Sequence, residues 1–182
     1  MGFDPGVKRA QQWKVALRFG ARGLYDCLLE LDLIALENKA AKLGFIAAAR
    51  LDGTSDLGDA EKWAKRFPTI QFYEYSKVVA RVARWLALGL PNLSVTLSYS
   101  GENTLECLTQ LAAGGNVAVP FDTKKGEPLP LTWYSFPVLD GDEDDYRADD
   151  APGHVVGLSW KGPQVTRREA RGNGWLQEAK NS

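Results

Sequence analysis

The chain has 182 residues, 45% of them apolar and 25% charged, with a formal net charge of −1. These values exclude intrinsic disorder and suit one ordinary domain, 1–182, with a core of its own. The charge is laid out in blocks: fourteen Lys/Arg against ten Asp/Glu in 1–85, three against eleven in 86–153, and five against two in 154–182. A chain polarised in this way can turn a basic and an acidic face to different partners.

Residues 1–6 (MGFDPG) read as a flexible start. Val7 to Phe19 can form a helix, with Lys14, Arg18 and Arg22 spaced i, i+4, i+8 as one basic stripe. Such a stripe is either a solvated helix face or a contact for phosphates or an acidic partner. Gly20 and Gly23 punctuate, and Leu24 to Leu43 reads as a long amphipathic helix with Leu24, Leu28, Leu31 and Ala35 on one side. Gly44 suits the position just past its C-terminus. Segment 7–44 is thus helical.

Segment 45–122 has the texture of a parallel sheet. Phe45 to Asp56 (FIAAARLDGTSD) is an apolar run that leaves into a polar loop, and TIQFYEYSK and NLSVTLSYSG repeat the design. Helices are expected over 59–66, 77–88 and 104–113, stopped by Phe67-Pro68, Gly89-Leu90-Pro91 and Gly114-Gly115, and Asn116 to Phe121 makes a fourth strand. The fold class is α/β, a mostly parallel sheet of alternating β/α units behind an N-terminal helical segment. No glycine-rich dinucleotide turn is present, which favours part of an incomplete β/α barrel over a Rossmann sheet.

Segment 123–162 differs: a Lys/Gly/Pro loop, an aromatic strand or extended segment (LTWYSFPV), the stretch Asp140 to Asp150 with seven acids and one arginine, and a last apolar strand, HVVGLSW. The tail 163–182 is basic, Gly-interrupted and expected to be partly mobile, with Trp175 and Leu176 as the residues able to dock it.

In a parallel sheet, sites form at the C-terminal ends of the strands. The strand-end set is Asp52, Ser55 and Asp56; Glu74, Tyr75 and Lys77; and Ser98, Ser100 and Asn103. Carboxylates beside Lys77 suit acid/base work or the holding of Mg²⁺ with phosphates, while Asp, Ser and Asn at strand ends also serve as caps and turns. No nucleophile has a partner, no Gly-x-Ser-x-Gly or phosphate-loop motif occurs, and no catalytic residue is assigned. The reading leans away from an enzyme, and it assigns no cofactor.

Cys27 and Cys107 read as reduced, core-like thiols. Neither clusters with His154 at metal-ligand spacing, so no metal site is expected. No apolar run approaches the roughly 18 residues of a membrane span, and no signal peptide is seen, so the expected compartment is the cytoplasm with no membrane partner. The acids Asp142, Glu143, Asp144 and Asp145 form either a solvated loop or a phosphate-mimicking patch. Trp133 and Tyr134 nearby are residue types found at interface hot spots, although Trp133 suits a core equally well.

Several of these strings together resemble the "gene product 88" domain proteins of phages and plasmids. They are KAAKLGFIAAARLDGTSD (Lys39 to Asp56), FPTIQFYEYSKV, LSYSGEN, AAGGNVAVPF and VLDGDEDDYRADDAPGHVVGL (Val138 to Leu158), and the likeness runs from about residue 7 to 162. The resemblance implies a mobile-element origin and a shared fold, and no reaction. It also implies a cysteine-rich stretch ahead of the region matched by 7–20, after which this chain begins. The function expected is an interaction protein that binds a host protein or ribonucleoprotein complex in the host bacterial cell, most concretely an anti-CRISPR-type inhibitor of host defence. The alternative is a protein that binds or processes nucleic acid through the strand-end rim and the basic N-terminal helix.

Overall fold

The computed structural model describes residues 5–53 and 56–179. The start at 1–4, the strand-end residues Thr54 and Ser55, and the last residues 180–182 lie outside the described residues. Among those described are six helices and seven strands, in two compact units, 1–47 and 48–182.

The first unit is built from α1 (Pro5–Gly20) and α2 (Arg22–Leu43). Ala21 leaves helical geometry between them, at φ −146° and ψ 59°. Lys14 and Arg18 therefore lie on α1 and Arg22 on α2, so the expected single stripe is split. Arg22 instead pairs with Asp26 one turn on, at 3.0 Å, and Arg18 lies over the Phe19 ring at 5.1 Å. Gly44 closes α2 in the left-handed region, φ +71°, where a side chain would be strained. The face expected to be covered is not the covered one. Leu24, Leu28, Leu31 and Ala35 are exposed, whereas Leu33 and Ala40 are buried. Leu29, Leu33, Leu36 and Ala40 form a second apolar stripe on α2, and with two stripes periodicity alone cannot choose between them. Cys27 is exposed, against the expectation of a core thiol.

The second unit is an open, mostly parallel sheet in the order β1-β2-β3-β4-β7-β6-β5. Its strands are β1 (Ala47–Ala49, which begins at the unit boundary), β2 (Ile70–Ser76), β3 (Leu93–Ser98), β4 (Asn116–Lys124), β5 (Thr132–Trp133), β6 (Phe136–Asp140) and β7 (Val155–Trp160). The helices α3 (Ala60–Arg66), α4 (Val79–Leu88) and α5 (Thr104–Ala112) connect the first four strands, and α6 (Gln164–Gly172) follows β7. Neighbouring parallel strands joined by right-handed crossovers put their helices on the same face of the sheet. That is how a β/α barrel begins, but here β7 and β6 extend the sheet beyond β4 and it does not close.

The helix-covered face holds the core: Val95, Leu97, Val117, Val119, Phe121 and Val155 pack with Val82, Trp85, Cys107 and Leu111. β2 alternates accordingly, with Ile70, Phe72, Glu74 and Ser76 buried and Gln71, Tyr73 and Tyr75 half-buried on the other face. That second face is crossed by the acidic stretch after β6. Tyr146 meets the Tyr73 ring edge-on at 5.4 Å, and Gly141 lies so close to β7 that a Cβ there would stand 2.5 Å from Val156 Cγ1. The aromatic strand or extended segment expected over 131–138 is the hairpin β5–β6. Tyr134 and Ser135 turn it with φ of +47° and +70°, the two positive φ values of a tight hairpin turn made without glycine.

Two more expectations change. β1 covers only Ala47–Ala49, leaving Phe45 and Ile46 exposed before it. The tail is not loose, because α6 is anchored by Arg167 on Asp122 at 2.5 Å and by Arg171 on the same carboxylate. Beyond it Leu176 is buried and Gln177 bridges to β4 at Phe121. Among the described residues no helix is long and apolar enough to cross a membrane.

Candidate functional site

At the C-terminal ends of the parallel strands, on the face opposite the helices, lies a cleft of about 530 Å³. This is within the range of small-ligand sites and at the place where parallel sheets build them. Each strand contributes as it ends. β1 delivers Arg50, β2 delivers Tyr75 and Lys77, and β3 delivers Ser98. β4 gives Ala118 and Pro120, and β7 runs out through Leu158, Ser159 and Trp160 to Lys161. Tyr99 after β3, Gly162 after β7, Gly141 and Asp145 of the acidic stretch and Trp175 of the tail complete the lining.

Arg50 stacks on Tyr75, its guanidinium carbon 4.5 Å from the ring centre, a cation–π arrangement. Its Nη1 is 3.8 Å from Asp145 Oδ1, and its Nε is buried without a hydrogen-bond partner. Burial pushes the Tyr75 hydroxyl up to about 12, with the nearby Arg147 and Arg50 working the other way. Tyr75 is therefore a neutral donor at ordinary pH. Lys161 is paired with Asp142 at 2.7 Å. Trp160 donates its indole N–H to Gly162 O at 2.6 Å and meets Trp175 edge-on at 6.1 Å. Trp175 is set there by Gly101, at φ +95°, where a Cβ would stand 3.3 Å from the Trp175 backbone. Three cations and four aromatic residues, Tyr75, Tyr99, Trp160 and Trp175, thus share one cleft.

The strand-end set divides between this cleft and the loops behind it. Tyr75, Lys77 and Ser98 line the cleft. Asp52, Asp56 and Glu74 are committed to the β1–α3 loop. Asp52 accepts the N–H groups of Leu57 and Gly58 at 3.0 and 2.7 Å, and Glu74 accepts that of Leu51 at 2.7 Å. Asp56 takes the Ser76 hydroxyl and the Lys77 N–H, each at 3.0 Å, together with Arg81. Asn103 binds the Ser98 carbonyl and the Ser100 N–H, holding the turn after β3. Ser55 lies outside the described residues. Glu74 is fully buried, and its burial pushes the carboxyl up to about 7, reinforced by the Asp52 charge and opposed by the two backbone N–H groups and Arg50.

Of the acids read as a patch, Glu143, Asp144 and Asp145 are exposed. Asp142 is turned inward, 7% exposed at its side chain, and holds Ser159 N–H at 2.8 Å. Asp144 caps its own turn by accepting from Tyr146 N–H and Arg147, both at 2.8 Å. Trp133 is buried, its indole N–H on Gln177 Oε1 at 3.2 Å, while Tyr134 stands 60% exposed. Lys14, Arg18 and Arg22 belong to the first unit. Among the described residues no three His, Cys, Asp or Glu converge to hold a metal ion.

Arg50, Trp160 and Lys161 join the cleft from outside the expected strand-end set. A cation closing an otherwise apolar run, as in FIAAAR and HVVGLSWK, was the available signal: at a strand end it faces the rim and not the core.

A family model described as gene product 88 matches residues 2–175. No curated protein and no solved structure matches the chain significantly.

Proposed function

The chain belongs to the gene product 88 family, a family named for a phage gene product, and on that premise we propose that it binds nucleic acid, taking a single-stranded segment into the strand-end cleft. The convergence of Arg50, Lys77 and Lys161 with the rings of Tyr75, Trp160 and Trp175 supports the reading. Cations that follow a backbone, interleaved with rings on which bases stack, are what sequence-tolerant single-strand binding requires. The test is fluorescence anisotropy with labelled oligonucleotides over a salt series. Neutralising backbone phosphates with these cations predicts a negative log–log salt slope, about −0.7 for each phosphate contacted. Trp175→Ala weakens binding by about 1–3 kcal/mol, the worth of one stacked base. Absence of binding to any oligonucleotide at low salt overturns the proposal.

A second reading is an interaction protein that binds a host protein or ribonucleoprotein complex in the bacterial cytoplasm, with inhibition of a CRISPR-type defence as its most concrete form. The exposed acids Glu143, Asp144 and Asp145 support it, since closely spaced carboxylates compete with nucleic acid for a partner's basic groove. A stoichiometric host partner that survives nuclease treatment, and is lost when these three acids are reversed to lysine, is the expected result. Capture that is indifferent to the reversal removes the acids from the account.

A further inference from the structure

Arg50 differs from the other half-buried and buried arginines of the sheet unit. Arg167 spends its Nε on Asp122 at 2.5 Å, and Arg147, whose Nε is likewise buried without a partner, donates Nη2 to Asp144 at 2.8 Å. The Arg50 side chain makes no hydrogen bond among the described residues. Its Nε is buried and unpartnered, and the carboxylate within ion-pair range, Asp145, lies at 3.8 Å, beyond hydrogen-bond distance. The side chain is nonetheless held in place, stacked on Tyr75, while the chain just past it is fixed by the Leu51 and Asp52 N–H groups on buried Glu74. A guanidinium that is positioned, desolvated at one edge and short of acceptors is suited to grip an oxyanion by two parallel bonds.

We propose that Arg50 is the receptor for a terminal phosphate, so that the cleft prefers a nucleotide carrying a phosphomonoester: a phosphorylated strand end or a free nucleoside monophosphate. The inference rests on the nucleic-acid reading above and narrows it. Asp145, 83% exposed at its side chain, already offers Arg50 one negative charge. An internal phosphodiester also brings one, and exchanging the two gains little. A phosphomonoester brings about 1.5–2 charges and three terminal oxygens at neutral pH, enough to displace the aspartate. Lys77, whose ammonium has no carboxylate in ion-pair range among the described residues, borders the same cleft.

The test uses the full chain and one internally labelled oligonucleotide in three forms, 5′-hydroxyl, 5′-phosphate and 3′-phosphate, with adenosine monophosphate as a fourth probe. One phosphorylated form is expected to bind about tenfold tighter than the hydroxyl form, the scale of one charge-assisted pair. Arg50→Lys, which keeps the charge but loses the fork, reduces that preference below about twofold. Asp145→Asn, a solvent-exposed change that spares the fold, tightens binding of the phosphorylated form. Equal affinity for the three oligonucleotides overturns the inference and leaves the nucleic-acid reading standing. Arg50-dependent binding of the monophosphate alone supports the receptor, assigns the source to free nucleotide and overturns the nucleic-acid reading. Binding of none of the four overturns both.

Discussion

The carboxylate of Asp142 accepts the backbone N–H of Ser159 at 2.8 Å, tying the acidic stretch to the end of β7. Lys161 lies 2.7 Å from its other oxygen. Burial works against the charge on Asp142, and Lys161 with the Ser159 backbone and hydroxyl outweighs it, holding the carboxyl below the usual range. Asp142 therefore holds one wall of the cleft, while its neighbour Glu143 is exposed.

Asp142→Ala is expected to destabilise the protein by about 1–3 kcal/mol, leaving a buried N–H unpaired and Lys161 without its partner. Glu143→Ala stays within about 0.5 kcal/mol. Urea unfolding of the two variants side by side checks the contrast. Because the folded-state value is depressed, the contribution of Asp142 is present above the ordinary aspartate value of about 4 and is lost as pH falls through the folded one.

The β/α alternation was legible because each apolar run sits between strong stops, Phe67-Pro68, Gly89 with Pro91, and Gly114-Gly115. The hairpin was hidden because Tyr134 and Ser135 take positive φ without the Asn or Gly that announces such a turn. α6 was hidden for another reason: it is held by ion pairs on Asp122, and ion pairing leaves no apolar period to read. In the site, Tyr75, Lys77 and Ser98 were found by the rule that parallel strands present ligands at their C-terminal ends. Trp160 and Trp175 meet only through the docking of the tail, which no local pattern encodes.

Asp122 accepts both Arg167 and Arg171, and its own N–H binds Gln177 O at 2.8 Å, while Gln177 N–H binds Pro120 O at 2.9 Å. Asp122→Ala is expected to release α6 and the segment carrying Trp175 without unfolding the sheet. Amide exchange tests this: protection at Asp122's own position and at Gln177 should fall at least about tenfold while that of Val117 and Val155 is kept. Uniform loss of protection across the sheet would show instead that the tail is part of the global core.

Cys27 is exposed and Cys107 buried, with burial and the Glu106 charge pushing the Cys107 thiol up to about 12. The thiolate is the reactive form. A thiol reagent at pH 8 should therefore label one cysteine of the folded protein quickly and both only in denaturant. The fast site should vanish in Cys27→Ser. Rapid double labelling under native conditions would mean that the α5 packing opens readily.

Glu74 gives the sharpest pH prediction. Its folded value, about 7, lies above the ordinary glutamate value of about 4.3, so the folded state binds the extra proton. The sign follows from linkage: the full stability is present below the unfolded value and is lost as pH rises through the folded one. Between about pH 4.5 and 7.5 Glu74 should lower stability by a total on the order of 3 kcal/mol, since each tenfold difference in proton affinity between the folded and unfolded chain is worth roughly 1.4 kcal/mol. Glu74→Gln keeps a carbonyl oxygen for the Leu51 N–H, which now donates to Oε1 at 2.7 Å, and removes the titration. The variant should be flatter across that window and more stable than wild type at pH 8, as read from urea midpoints at pH 5.5 and 8. A parallel pH dependence in the two proteins would place the titration elsewhere.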